Sequence, residues 1–316
     1  MKRHKICKII FAILAVFLCV AFYELIGICI TYKKQPAVSD ATIKETQNIM
    51  SVAGRENTER AVIIEKNSQA LLERVRLIQN AKDEIILSTF AFKSDESGKL
   101  ILGALHDAAD RGVHVRILVD GMESWIDMEG NPYFYGLSSH ENVEIKLYNK
   151  ANPLKPWKTM GRMHDKYLIA DGKIYILGGR NTYNYFLGDF PGHKNFDRDV
   201  LVVCDEPQKD NSVNQLWNYF ETIWEQEDCR YFHNSKKLAD RQSVKKAVLE
   251  LQEGYQQYFE VNKEKICDTD YADETFETEK ITLLSNPIHT QAKEPVVWYQ
   301  LGELMKNAKE CVKIHT

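Results

Sequence analysis

Between residues 164 and 181 the chain reads His-Asp-Lys-Tyr-Leu-Ile-Ala-Asp-Gly-Lys-Ile-Tyr-Ile-Leu-Gly-Gly-Arg-Asn. In compressed form this is H-x-K-x4-D-x6-G-G-x-N, which sets an imidazole, an ammonium and a carboxamide at fixed spacing. These groups suit attack on a phosphodiester without a metal. The diester carries one negative charge over two non-bridging oxygens, and that charge must be held while the attacking group is fixed in line. Lys166 offers a mobile cation and Asn181 offers amide hydrogens. A neutral His164 offers a nucleophile that forms a covalent phospho-enzyme and divides one hard step into two. A carboxylate behind its far ring nitrogen would fix the tautomer. Asp197 and then Asp199, in Phe-Asp-Arg-Asp-Val, are the nearest downstream candidates.

These residues need a scaffold. Residues 163–170 alternate loosely and are rich in Tyr, Leu and Ile, which predicts a strand. On a strand His164 and Lys166 share a face and Asp165 points away. Asp171-Gly172 is a two-residue hairpin signal, and residues 174–177 form the returning strand. Gly178 and Gly179 then predict a bend without side chains that brings Asn181 back beside His164 and Lys166. A lone strand histidine is usually just hydrogen-bonded, and Asp-Gly followed by Gly-Gly is usually just hairpin chemistry. Five positions matching together favour catalysis.

The flanks alternate. Helical spacing over 67–80, a β-rich run at 84–92, a helix over 98–111 ended by Gly112, and strands at 113–120, 143–148 and 200–204 precede a helix at 213–224. In the strand at 113–120, His114 and Arg116 take one face and Val113, Val115, Ile117 and Val119 the other. The pattern predicts an α/β domain, a layered mixed β-sheet flanked by helices.

The motif resembles the HKD signature of the phospholipase D superfamily, with His164, Lys166, Asp171, Gly178 and Asn181 at its defining positions. The family often has Ser where this chain has Gly179, and the Gly-Gly-Arg-Asn form is similar to bacterial cardiolipin synthases. The resemblance covers roughly residues 60–230, one catalytic half. It implies that His164 is the nucleophile or general acid and that Lys166 and Asn181, with Gly179 beside them, bind phosphate oxygens. Asp171 belongs to the motif but mainly supports local structure. Asp197 becomes the carboxylate behind the histidine, with Asp199 the second choice. The expected substrate is a phospholipid, with no metal or organic cofactor. The family builds its site from two such motifs, one histidine attacking and the other protonating the leaving alkoxide, so a second HKD half in cis or in trans is an implied partner.

A repeat points the same way. Residues 80–89, Asn-Ala-Lys-Asp-Glu-Ile-Ile-Leu-Ser-Thr, recur as Asn-Ala-Lys-Glu-Cys-Val-Lys-Ile-His-Thr at 307–316. Repetition of this kind marks a duplicated domain. The expected organisation is an anchor at 1–34, a polar tether at 35–59, the first catalytic half at 60–232, a solvated helical linker at 233–280 and the start of a second half at 281–316. On this reading the chain is a fragment, a split gene product or a partner in a paired site.

Residues 9–32 are strongly apolar, interrupted by Glu24, and long enough to cross a bilayer about 30 Å thick. A cleaved signal peptide is the rival, though Cys19-Val-Ala21 is a poor cleavage site. Lys2, Arg3, Lys5 and Lys8 precede the span and Lys33 and Lys34 follow it, which predicts a single-pass protein of the cell membrane with its body facing outward. A net charge of −4 gives no electrostatic pull on nucleic acid, which is not an expected partner. The seven cysteines show no zinc spacing, and the other histidines show no metal-ligand spacing. A Cys229–Cys267 disulfide is compatible with an outward body, but nothing requires it. Loops at 131–136 and 152–157 precede the motif, and Trp125, Tyr133, Phe134 and Trp157 suit either contact with an acyl chain or interface, or local packing. His193 is a candidate for the mouth of the site, with a plain surface role preferred. The readings to be separated are a phosphatidyltransferase, a nucleic-acid phosphodiesterase of the same superfamily, and a non-catalytic membrane-tethered half that binds a partner.

Overall fold

The computed structural model describes residues 2–51, 58–233 and 235–314. Its first elements are α1 (Lys2–Thr31), α2 (Asp40–Ser51), β1 (Arg60–Ile64), α3 (Asn67–Asn80), β2 (Glu84–Thr89), α4 (Glu96–Asp110) and β3 (His114–Asp120). Next come α5 (Gly121–Asp127), α6 (Pro132–Ser138), β4 (Val143–Tyr148), a 3-10 turn (Pro156–Lys158), β5 (Tyr167–Ala170), β6 (Ile174–Gly178) and β7 (Asp199–Val203). The last are α7 (Ser212–Trp224), β8 (Cys229–Tyr231), α8 (Lys236–Ala239), α9 (Gln242–Ile266), β9 (Phe276–Glu277) and α10 (Val296–Asn307).

One nine-stranded sheet runs in the order β8-β4-β3-β2-β5-β6-β7-β1-β9. β2, β3 and β4 are parallel and the other pairings are antiparallel, so the sheet is mixed and the layered α/β fold expected from the sequence is the one observed. Side chains alternate between two cores because successive strand residues face opposite sides. Ile85, Leu87, Val115, Ile117, Leu168 and Ile176 pack with residues of α3, α4, α6 and α9. Ile86, Leu118, Tyr167, Ile169 and Tyr175 pack under Val213, Leu216, Phe220 and Trp224 of α7.

Three sequence expectations change. α9 is not a solvated linker: Val244, Ala247, Leu251 and Tyr255 are buried, and Gly103 of α4 lies so close that an added Cβ would sit 2.6 Å from Leu251 O. Its many charges cover only the outer face. The tether contains a helix, α2, with Thr42 and Thr46 buried; residues 52–57 lie outside the described set. In the repeat, α10 ends at Asn307 as its counterpart α3 ends at Asn80, but no strand follows among the described residues up to 314, where Val312 and Ile314 are exposed. Cys229 and Cys267 are both free.

Within α1, Lys5–Thr31 is long and apolar enough to cross a membrane, and none of its most apolar window is buried.

Candidate active site

β5 begins at Tyr167, so His164–Lys166 lie in the segment entering the strand rather than in it. The reason is local. Asp120, at the end of β3, is fully buried and its Oδ2 accepts the Met163 N–H at 3.2 Å, while its Oδ1 caps α5 through Met122 N–H at 2.9 Å. That carboxylate diverts the backbone just before His164. The sheet recovers the chain through Gly178 N–H, which donates to Lys166 O at 3.1 Å.

Three motif side chains address one short stretch, Phe90–Ala91, which follows the carboxyl end of β2. The His164 ring meets the Phe90 ring edge-on, with centroids 4.6 Å apart. Lys166 Nζ stands 5.4 Å from the same ring centroid. Asn181 Oδ1 accepts Ala91 N–H at 3.2 Å, which commits the oxygen and leaves the amide NH2 to donate. The stretch itself is clamped: Thr182 N–H donates to Ala91 O at 3.1 Å and Lys93 N–H to Thr182 O at 3.2 Å. His164 is exposed, whereas Lys166 and Asn181 are buried. Phe90 and Asp120 carry no catalytic signature and went unrecognised in the sequence.

Asp165 lies between His164 and Lys166, outside the strand like its neighbours, and lines the same cleft as they do. Its Oδ2 accepts the Tyr219 hydroxyl at 2.8 Å under α7. A cleft of about 400 Å³ runs past His164, Asp165 and Lys166 to Tyr219, Leu283 and Lys293. A larger cavity, about 690 Å³, lies between α3 and α9 and holds none of the motif residues, so size does not locate the chemistry.

The two glycines do not form a left-handed bend; neither has positive φ. They are required by close approach. A Cβ on Gly178 would lie 2.0 Å from Asp199 Oδ1, and one on Gly179 would lie 2.0 Å from Asp197 Oδ2. Gly179 thus leaves the slot that the Asp197 carboxylate fills. The Asp197 carboxylate accepts Arg198 N–H at 2.8 Å through Oδ1, and its charge acts on Lys166. Asp199, the second choice, is a structural ion. It is fully buried between Arg74 at 2.9 Å and Arg180 at 3.2 Å. Arg180 is itself fully buried; it donates to Asn67 Oδ1 at 3.1 Å, to Glu65 O at 2.6 Å and to Asp197 O. One guanidinium therefore fixes the backbone of Asp197 and pins the Gly-Gly-Arg-Asn turn to β1. Its signal was present in the motif as the variable position.

Asp171 is not brought to this end. It sits at the other end of β5, and its carboxylate accepts the backbone N–H groups of Lys82, Asp83 and Glu84 at 2.9, 2.8 and 2.9 Å. With φ of 52° at Asp171 and 61° at Gly172, and Lys173 N–H donating to Ala170 O at 3.0 Å, the hairpin is the predicted Asp-Gly turn. His193 is exposed and contacts Tyr185, with ring centroids 5.4 Å apart.

The electrostatics suit attack on an anion. Burial, and then the positive charge of Lys166, hold the His164 pKa below its ordinary value, so the ring is neutral near neutral pH. Burial pushes the Lys166 ammonium down to about 8, against the pull of Asp165 and Asp197. A cation that is short of solvation gains from an incoming phosphate oxygen.

Residues 75–224 match the family described as "Cardiolipin synthase, PLD-like domain". That stretch, just under half of the chain, is therefore a domain of the phospholipase D superfamily. Within it, the chain is cardiolipin synthase-like. It is 29% identical over 154 residues to cardiolipin synthase C of Escherichia coli (strain K12), covering 44% of this chain and 31% of that protein. It is 33% identical over 181 residues to an uncharacterized protein of Helicobacter pylori (strain ATCC 700392 / 26695), covering 53% of this chain and 35% of that protein. The match thus spans about a third of the length of these curated relatives. Among solved structures, Nuc of Salmonella typhimurium, a phospholipase D family member, aligns at 18% identity and TM-score 0.40, covering 56% of this chain and 99% of that one.

Proposed function

We propose that the chain is the membrane-anchored catalytic half of a phosphatidyltransferase or phosphodiesterase that acts on phospholipid through a phosphohistidine at His164. The observation that carries this reading is the convergence of the His164 ring, the Lys166 ammonium and the Asn181 amide on Phe90–Ala91, past the carboxyl end of β2 in the middle of the sheet. An imidazole nitrogen attacks phosphorus and the bond to the leaving oxygen breaks. Lys166 and the Asn181 amide hold the non-bridging oxygens. An acceptor hydroxyl, from a second lipid or from water, then attacks the phosphohistidine, the P–N bond breaks to restore the ring, and the hydroxyl proton passes to the group that protonated the first leaving oxygen. The leaving alkoxide needs a proton from an acid, which a second HKD motif, in cis or from a partner chain, supplies. Asp197 serves the site by its charge on Lys166, and Asp171 serves it only through the fold. The anchor, α1, keeps the site beside its substrate.

The test is a trapping experiment. The chain, reconstituted in vesicles with a phospholipid labelled in its phosphatidyl group, is quenched in alkali during turnover. Label should appear on the protein, be lost in mild acid, and be absent from His164→Ala. Turnover without labelled protein, or persistent turnover by His164→Ala, would remove the assignment. Cleavage of DNA with a steep salt dependence, in preference to vesicle lipid, would move the reading to the nucleic-acid phosphodiesterase.

A further inference from the structure

Of the four aromatic residues that suited either an interface or packing, two are packed. Phe134 is buried against Phe92, with ring centroids 5.1 Å apart, and the Tyr133 hydroxyl donates to Glu250 at 2.7 Å. The other two face solvent, Trp125 at 68% and Trp157 at 43% exposure. Trp157 belongs to the segment that leads into the site, residues 150–160, and has exposed apolar neighbours in Leu154 and Met160. α5, which carries Trp125 and exposed Ile126, starts against the same segment: a Cβ on Gly121 would lie 2.6 Å from Lys150 N.

This segment is where the anchor touches the body. The Tyr23 hydroxyl donates to Leu154 O at 3.1 Å, and a Cβ on Gly27 would lie 2.4 Å from Pro156 Cγ. Glu24, Gly27, Ile28, Thr31 and Tyr32 form the half-buried stripe of α1, the i, i+3, i+4 spacing of a helix face in contact. The apolar span is 27 residues, about 40 Å long at 1.5 Å per residue. A hydrocarbon layer is about 30 Å thick, which leaves roughly 10 Å for the headgroup zone. Tyr23 lies about 12 Å of helix rise before Thr31. Leu154 and Trp157, seated against Tyr23–Gly27, therefore fall at the boundary between acyl chains and headgroups, where Trp and Tyr gather. The adjoining groove is lined by Lys150, Lys155, Lys158 and Arg230, with Glu227 and Asp228 the acids, so cations outnumber anions. Exposed Lys33 and Lys34 extend that charge just past the span.

We propose that residues 150–160, helped by the end of α5, form a bilayer-docking surface. Leu154 and Trp157 enter the interface beside α1, and Lys150 and Lys155 of the groove take anionic headgroups, Lys158 being paired with Asp228 at 2.6 Å. The consequence is positional. The segment that docks continues through Arg162 and Met163 into His164, so the reacting end is held at one height above the bilayer instead of swinging on a tether. The proposal rests on α1 spanning the membrane and is independent of which diester the site cleaves.

The experiment uses the full chain in phosphatidylcholine vesicles, with or without phosphatidylglycerol, that contain lipid brominated near the headgroup. Tryptophan fluorescence is read. Trp157→Phe should lower the quenched signal by roughly half, with Trp125 supplying the rest. Trp217→Phe, at the opposite end of the sheet beside Gly172, should leave it unchanged. Leu154→Asp should weaken quenching of Trp157 by about twofold or more. Lys150→Gln with Lys155→Gln should abolish the gain from phosphatidylglycerol. Resistance to alkaline carbonate with quenching unaffected by Trp157→Phe and Leu154→Asp would overturn the docking surface alone. Release by carbonate would overturn the span, and the docking surface with it.

Discussion

At the turn of the β5–β6 hairpin, the Asp171 carboxylate accepts three backbone N–H groups, and the charge there is satisfied. At the other end of the same strand, the Lys166 ammonium is 5% exposed with its pKa pushed down to about 8, and the His164 ring is held below its ordinary pKa. Both ends belong to one sequence motif and both carry charge. One end has been closed by the protein's own backbone, whereas the other keeps under-solvated groups facing a cleft. That contrast separates residues that support a site from residues that perform its chemistry, and mutation can test it directly.

The largest effect belongs to the open end. His164→Ala should lower kcat/KM for the diester by about 10²–10⁴-fold in the assembly that turns it over. Because the ring is exposed, the melting temperature should barely move. A parallel loss of stability would mean that His164 is a packing residue and would erase the distinction between the two ends.

Arg180→Met comes second, and its effect is on the fold first. It removes a guanidinium that is fully buried beside Asp199, leaving that carboxylate with Arg74 alone. Breaking a buried pair from one side costs about 3–5 kcal/mol. The Asp197 backbone is released as well, so activity should fall along with stability. Denaturant unfolding of Arg180→Met and of Arg180→Met with Asp199→Asn tests the cause: the double variant should lose further stability, because it leaves the buried Arg74 guanidinium without its carboxylate.

Asp171→Ala is the matching lesion at the closed end. It strips three N–H groups of their acceptor and puts Ala at a φ of 52°, for a loss of about 2 kcal/mol. Asp171→Asn keeps an acceptor and tolerates that φ, so it should lose roughly half as much. Below its lowered melting temperature each variant should keep the wild-type kcat. A large fall in kcat with stability intact would place Asp171 in the chemistry.

The readability of the two ends also differed, for physical reasons. The turn was legible because Asp-Gly with positive φ is a local event, set by two residues. Most of the alternating helices and strands were legible for a similar reason: α3 and β4 fall on the expected bounds, since periodicity is a short-range signal. The open end was legible only as a set of residue types. Its geometry depends on partners distant in sequence, with Asp120 holding Met163 and Arg180 reaching Ile64 and Glu65. Hence the histidine left the predicted strand, and Asp199, read as a possible partner of the ring, proved to be the buried counter-ion of two arginines. β1, a five-residue strand pairing with β7 and β9, carries too little pattern to announce itself. α9 misled because its polar face outweighs a narrow buried stripe.

The smallest effect, and the sharpest, is in the pH profile. Catalysis needs His164 neutral and Lys166 charged. The His164 pKa is lowered, so the acid limb of kcat/KM should lie below the ordinary histidine value. Lys166 loses its proton through about 8, so the alkaline limb should fall there and not near 10. Between about 8 and the ordinary lysine value of 10.5 the unfolded chain binds the Lys166 proton and the folded chain does not, so this residue's contribution to stability rises with pH across that window. Below 8 both states are protonated, and the cost of burying the ammonium is fully present. Lys166→Met should therefore be more stable than wild type at pH 7, with the gap closing as pH climbs past 8, although its activity is lost. Lys166→Arg keeps a charge that does not titrate in this range; it should turn over slowly, because a planar fork replaces a point charge, but without the alkaline limb. An alkaline limb at 8 that survives Lys166→Arg would assign that titration to another group, and with it the reason for calling this end of the hairpin the reactive one.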